Sequence, residues 1–401
     1  LSTQRARYIP ELLQRHLEEL EYLWGRRRRA IASRELTVRD YADLTERVEA
    51  HIQGVLAVPP ALPDLVPKLA GDDRDGVFAA ACPLLRSGDR PLVQAVIEAF
   101  GSAEEEALAG IRDAMSIAYG AGVGAAVKRQ LETGTPAHAA AAAVVLANQR
   151  LLPATASRLP ALLQNDDPAI AESAWFACTI ADLLDPSAVA SRPFRQALVH
   201  ESARVRSAAL RAAAWTGQPW TLSLAREMVD AGDRVALDWL AALGGIDDVE
   251  RICERAASVS AADDRCALLA RFGHPAALDM IVGWLDGEAA DAAAAGAAFT
   301  LMTGVDIRGE RKTLEPPPDA DEFEKEFAAD VWLPDAAKAR DYLRRYGAVI
   351  AQGTRWRCGI DLGGTCTSDM LARVDLEARW DVSTRAALAG APITLPPPIT
   401  L

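Results

Sequence analysis

The chain has 401 residues, half of them hydrophobic but only 6% aromatic, and its 43 Lys and Arg against 56 Asp and Glu leave a net charge of −13. A negative chain repels phosphate backbones, which disfavours general nucleic-acid binding unless the basic residues are segregated. No run of 18 or more apolar residues is free of charge, so no transmembrane helix is expected; no signal peptide is visible, and a cytoplasmic location is expected. The length admits two or three globular domains or one continuous repeat array.

Much of the apolar content is alanine, which lets helices pack closely at little side-chain entropy cost. Alternating Val/Ile/Thr runs are few and Asn-Gly turns are missing, so the expected fold class is all-α. Residues 1–58 read as a helical hairpin. Tyr8, Leu12, Leu13, Leu17, Leu20 and Leu23 recur at helical spacing, and Val38, Tyr41, Leu44, Val48 and Ile52 share a face of a second helix. Thr37 with Asp40 resembles a capping box with Asp in place of Glu. Pro59, Pro60 and Pro63 close the hairpin.

From residue 64 to 304 an alanine-rich pattern recurs about every 30 residues, a period that signals a solenoid. Val205-Arg206-Ser207-Ala208-Ala209-Leu210-Arg211-Ala212-Ala213-Ala214-Trp215-Thr216-Gly217 is its clearest instance. First helices are expected at 73–87, 103–117, 136–149, 167–182, 202–216, 233–243, 261–272 and 288–302. Gly or Pro turns and second helices follow them. A polar, proline-rich connector is expected at 305–321 (Arg308, Arg311, Lys312, Pro316-Pro317-Pro318). Residues 322–401 then read as a small capping region with helices over Asp335–Tyr346 and within Met370–Leu388.

The opening Asn165-Asp166-Asp167-Pro168, the Val205–Ala209 stretch and the Gly273-His274-Pro275 turn resemble HEAT-like repeats, which implies an α-solenoid of helical hairpins. The layout, with Trp332-Leu333-Pro334-Asp335 and then Gly353 and Arg355, is similar to an uncharacterised proteobacterial HEAT-repeat family whose members tend to be encoded near type VI secretion components. The resemblance implies a protein-binding adaptor or an immunity protein, and it carries over no catalytic residues.

Gly359-Ile360-Asp361-Leu362-Gly363-Gly364-Thr365 resembles the phosphate-binding turn of sugar kinases in the actin/hexokinase superfamily. That turn needs a large α/β domain behind it, and too little chain follows Thr365 to build one; the expectation is a Gly-rich turn. The run Arg26-Arg27-Arg28-Arg29 is either a solvated helix end or a contact for a partner protein or nucleic acid. If the second helices line a binding face, as the resemblance implies, then Lys128, Arg129, Arg195, Gln196, Arg226, Glu227, Glu254 and Arg255 form a mixed ladder for an extended acidic or polar partner.

His16, His51, His138, His200 and His274 show no i, i+3 or i, i+4 pair, and none lies near a cysteine pair, so no metal site is expected. The six cysteines read as buried free thiols. Trp220, Trp239 and Trp284 are either interface anchors or core. The expectation is a non-enzymatic protein-binding scaffold without cofactor, metal or nucleic acid. The alternatives are an enzyme on the same scaffold, DNA glycosylase-like or bilin lyase-like, and a scaffold that assembles end to end.

Overall fold

The computed structural model describes residues 10–120, 122–314 and 330–397. Helices dominate it, joined by two small two-stranded sheets. Tyr8, Pro316–Pro318 and Pro398 lie outside the described residues.

The N-terminal hairpin pairs α1 (Pro10–Ala30) with α2 (Val38–Leu56). Leu13, Leu17, Leu20 and Leu23 bury one stripe of α1 against Leu44, Val48, Ile52 and Val55 of α2. The capping box forms: the Asp40 carboxylate accepts from the Thr37 N–H at 2.8 Å, and Thr37 Oγ1 accepts from the Asp40 N–H. Pro63 and Pro67 lack the N–H that an α-helix needs, and Pro59–Ala70 accordingly winds as a 3-10 stretch.

The first helices of the hairpins follow as α3 (Arg74–Arg86), α5 (Glu105–Ile117), α7 (Pro136–Asn148), α9 (Pro168–Leu184), α11 (Ala203–Trp215), α13 (Arg234–Leu243), α15 (Ala262–Phe272) and α17 (Ala289–Thr303). Each end lies within two residues of its expected position. Alanine makes this layer possible, because a helix covered in methyl groups can approach neighbours on several sides. In α7 every residue from His138 to Ala147 is buried. The second helices are α4 (Arg90–Ser102), α6 (Val123–Thr133), α8 (Leu159–Leu163), α10 (Phe194–Leu198), α12 (Thr221–Asp230), α14 (Val249–Ala257) and α16 (Pro275–Gly283). Two of them, α8 and α10, shrink to five residues. Pro153 and Pro160 crowd the first, and Pro186 and Pro193 divert the second through a 3-10 turn, since proline interrupts the helical ladder.

The chain divides into two compact units, Leu1–Gln218 with Ala386–Leu401, and Pro219–Arg385. This division falls inside the expected 64–304 array rather than at its ends. Within the first unit α3 packs on α5, α5 on α7, α7 on α9 and α9 on α11; within the second, α13 packs on α15 and α15 on α17.

The expected connector at 305–321 is not uniformly irregular. Arg308–Thr313 is strand β1, antiparallel to β2 (Asp330–Pro334), with a bulge between Arg308 and Arg311. All six residues of β1 are exposed, so it carries no hydrophobic alternation from which a strand can be read. Its ladder is completed by β2, which packs on α17. Beyond it come α18 (Ala336–Ile350), a hairpin of β3 (Trp356–Arg357) and β4 (Ile360–Asp361), α19 (Ser368–Arg373) and α20 (Leu376–Leu388). Of the helices expected within Met370–Leu388, α19 begins two residues earlier and α20 runs unbroken from Leu376 to Leu388.

Candidate interaction surfaces

The four consecutive arginines at the end of α1 are sorted by the helix turn. Arg26 and Arg29 are exposed. Arg27 folds back, its guanidinium 5.4 Å from the Trp24 ring centre and 4.7 Å from that of Tyr41, and its Nε donates to Thr45 at 2.9 Å. Burial lowers its pKa, and the two ring faces offset part of that cost. Arg28 makes a two-pronged contact with Asp75, Nε to Oδ1 at 2.9 Å and Nη2 to Oδ2 at 3.1 Å, which ties α1 to α3. Two members of the run are thus structural. The two left outward sit where the helix dipole favours cations.

The ladder residues sort in the same way. Lys128 and Arg129 on α6 and Arg195 and Gln196 on α10 are exposed in the first unit. Glu227, Glu254 and Arg255 are exposed in the second. Arg226 is not available as an outward cation. Its Nε and Nη2 donate to both oxygens of Asp248 at 2.7 and 3.0 Å. The Asp248 side chain is fully buried and also accepts from the Gly245 N–H at 3.0 Å. Burial by itself raises this carboxyl's pKa, but the hydrogen bonds from Arg226 and Gly245, with the charges of Arg226 and Arg251, outweigh it and hold it below the ordinary value.

Between α12 and α14 lies an open groove of about 420 Å³. Arg251 pairs with the Asp230 carboxylate at 2.8 Å, and Arg255 donates to the Asp230 backbone carbonyl at 2.9 Å. Four carboxylates (Asp230, Asp247, Glu250, Glu254) face two guanidinium groups (Arg251, Arg255) along its walls. Once the internal contacts are made, the groove is acidic. Here the residues of the expected ladder stand among more carboxylates than guanidinium groups.

The Gly359–Thr365 stretch is a tight hairpin rather than a simple turn between helices. Cys358 and Gly359 both have positive φ, 50° and 73°, as a two-residue hairpin turn of the right-handed twist requires. Asp361 Oδ1 accepts from the backbone N–H groups of Thr354, Arg355 and Gly363 at 3.3, 3.0 and 2.9 Å. The carboxylate that would hold metal and phosphate in a kinase is spent on its own loop. The hairpin sits on helix ends: Trp356 N–H donates to Gly273 O at 2.7 Å, Cys358 N–H to Leu301 O at 2.8 Å and Gly359 N–H to Met302 O at 3.0 Å.

Beneath it lies a set of buried arginines that sequence reasoning missed. Arg355 is 6% exposed. Its Nη1 donates to Ala241 O at 2.7 Å and Arg271 O at 3.3 Å, and its Nη2 to Gly244 O at 2.5 Å. These carbonyls stand at the C-terminal ends of α13 and α15, which have no intrahelical donor. Burial drives the Arg355 pKa well below its usual value. Arg357 pairs in two-pronged fashion with Asp375 at 2.5 and 2.7 Å, and Arg271 with Asp381 at 2.8 and 2.7 Å. The Gly353 and Arg355 positions that carry the layout resemblance are therefore architectural. One signal was readable: only five of the 43 basic residues are lysine, and arginine is the cation suited to buried, two-pronged contacts.

Cys82, Cys178 and Cys266 are buried, whereas Cys253, Cys358 and Cys366 are only partly so. Burial pushes the Cys82 and Cys178 thiols up to about 12, so neither supplies a thiolate near neutral pH. Trp24, Trp175 and Trp215 fill the core. Trp220, Trp239 and Trp284 are half-buried, and the guanidinium of Arg265 lies 4.9 Å from the Trp284 ring centre. The histidines are not all isolated: His16 and His51 meet between α1 and α2. Among the described residues no helix is long and apolar enough to cross a membrane.

No protein-family model matches the chain, and no curated protein matches it significantly.

Proposed function

We propose that this protein is a non-enzymatic, HEAT-like binding scaffold whose acidic groove between α12 and α14 receives a lysine- or arginine-rich segment of a partner protein. The observation that carries this reading is the carboxylate excess along that groove, with its arginines already engaged by Asp230. Charge complementarity of this kind steers encounter and selects partners by the sign of their charge. The resemblance in layout supports a secretion-linked role for the partner, with this chain acting as adaptor for an effector or as immunity protein against one in the type VI system.

The test is affinity purification of the tagged chain from its native cells at low and high salt, repeated with Glu250→Lys/Glu254→Lys. The expected result is one dominant partner with a basic segment, weakened at least ~tenfold by the charge reversal. An adaptor releases it readily, whereas an immunity protein retains it at high salt and silences a toxin. Recovery of nucleic acid alone, lost as salt rises, overturns the proposal and moves the weight to Arg26 and Arg29.

A further inference from the structure

The histidine pair in the N-terminal hairpin has the geometry of a cation site. His16 projects from α1 and His51 from α2, 35 positions apart, and their Nδ1 atoms stand 3.1 Å from each other. The ring centres are 5.1 Å apart and the rings are inclined at 66°. Both side chains are partly buried. The His16 ring lies over Gly54, where a Cβ would come within 2.6 to 2.7 Å of three of its atoms. Any larger residue at 54 evicts the ring, so the seat is built into the hairpin.

Imidazole nitrogens bind zinc at ~2.0–2.1 Å, so two of them on one ion stand about 2.9 Å apart at a right angle and about 3.4 Å apart at the tetrahedral angle. The observed separation falls inside that interval before any ion is present. The inclined rings suit adjacent positions around an ion. The groups that face His51 are His16 and Glu19 from α1 and Arg47 from its own helix. Burial first, then His16 and Arg47, lower the His51 pKa, opposed by Glu19.

We propose that His16 and His51 bind a divalent first-row transition metal, zinc, nickel or copper, through their two Nδ1 atoms, and that the ion clamps α1 to α2. Imidazole donors favour these ions over magnesium or calcium. Among the described residues no group of three or more His, Cys, Asp or Glu side chains is arranged to hold a metal. Solvent therefore completes the coordination, and the ion is exchangeable. Because binding needs both Nδ1 atoms unprotonated, affinity falls with acid.

The experiment is calorimetric titration of the full chain with zinc chloride at about pH 7.5 and about pH 5.5, either side of the ordinary histidine pKa. One equivalent is expected to bind at the higher pH and to be lost at the lower. His51→Ala is expected to weaken it at least ~tenfold, whereas His200→Ala leaves it unchanged. No binding to the natural chain, or equal binding by His51→Ala, overturns the proposal. Zinc X-ray absorption on the natural chain needs no variant. Nitrogen and oxygen neighbours with imidazole scattering are expected, and a sulfur shell at ~2.3 Å places the ion on cysteine and overturns it.

Discussion

At the scale of single residues, several charged side chains hold the interior together. Arg355 joins carbonyls from α13 and α15 that no backbone donor can reach. Arg355→Met is therefore expected to lower stability by about 3 kcal/mol, since buried acceptors left without donors cost ~1–3 kcal/mol each. Chemical denaturation measures this, and Arg355→Lys is not expected to rescue it because a lysine lacks the planar fork. Asp248 gives the pH counterpart. Its folded-state pKa lies below the unfolded value of ~3.9. Its stabilising contribution is thus complete above that unfolded value and is lost as pH falls through the folded one. Unfolding free energy measured from about pH 6 to about pH 2 is expected to fall less steeply in Asp248→Asn. That variant starts lower because Arg226 has lost its charged partner.

At the scale of elements, helix ends decide where the tail can dock. Gly273 ends α15 with φ 71°, a conformation that suits glycine, and a Cβ there would lie 2.7 Å from Trp356 O. Gly273→Ala combines left-handed strain with a backbone clash, and a loss of about 2 kcal/mol is expected. Lowered thermal stability with increased hydrogen exchange at β3–β4 is the reading that checks it. Thr37→Ala, which removes the capping box of α2, is expected to cost about 1 kcal/mol. The hairpin helices and their first-helix partners were legible because period and Gly/Pro punctuation are local. Strand β1 was not: Arg308–Thr313 has neither alternation nor β-branched enrichment. It is a strand because β2, held on α17, offers it hydrogen bonds.

At the scale of the whole molecule, the chain returns to its own first unit. Arg211 is partly buried, donates to Pro397 O at 2.7 Å, and lies 5.9 Å from the Phe176 ring centre. Burial lowers its pKa to about 10. Removing residues 386–401 takes away that acceptor and leaves a partly buried guanidinium undersatisfied. A loss of about 2 kcal/mol in the first unit is expected, read as an earlier unfolding transition, and Arg211→Met in the truncated chain is expected to recover part of it.

The sequence by itself determined the helices: the alanine-rich array, the ends of its first helices from α3 to α17, the capping box at Thr37 and the free thiols inside the apolar runs all follow from side-chain size, period and turn chemistry within a few residues of one another. Only the tertiary structure decided what the charged residues do. Arg26 and Arg28 are near neighbours in a uniform run, yet one faces water and the other holds Asp75, because the helix turn and the position of α3 separate them. Arg226 and Glu227 form one rung of a ladder in the sequence, yet Asp248 holds the arginine while Glu227 stays exposed. His16 and His51 became a pair because α1 and α2 cross where both project. Each of these contacts joins residues distant along the chain, and electrostatic partners are set by distance in space, which no local pattern encodes.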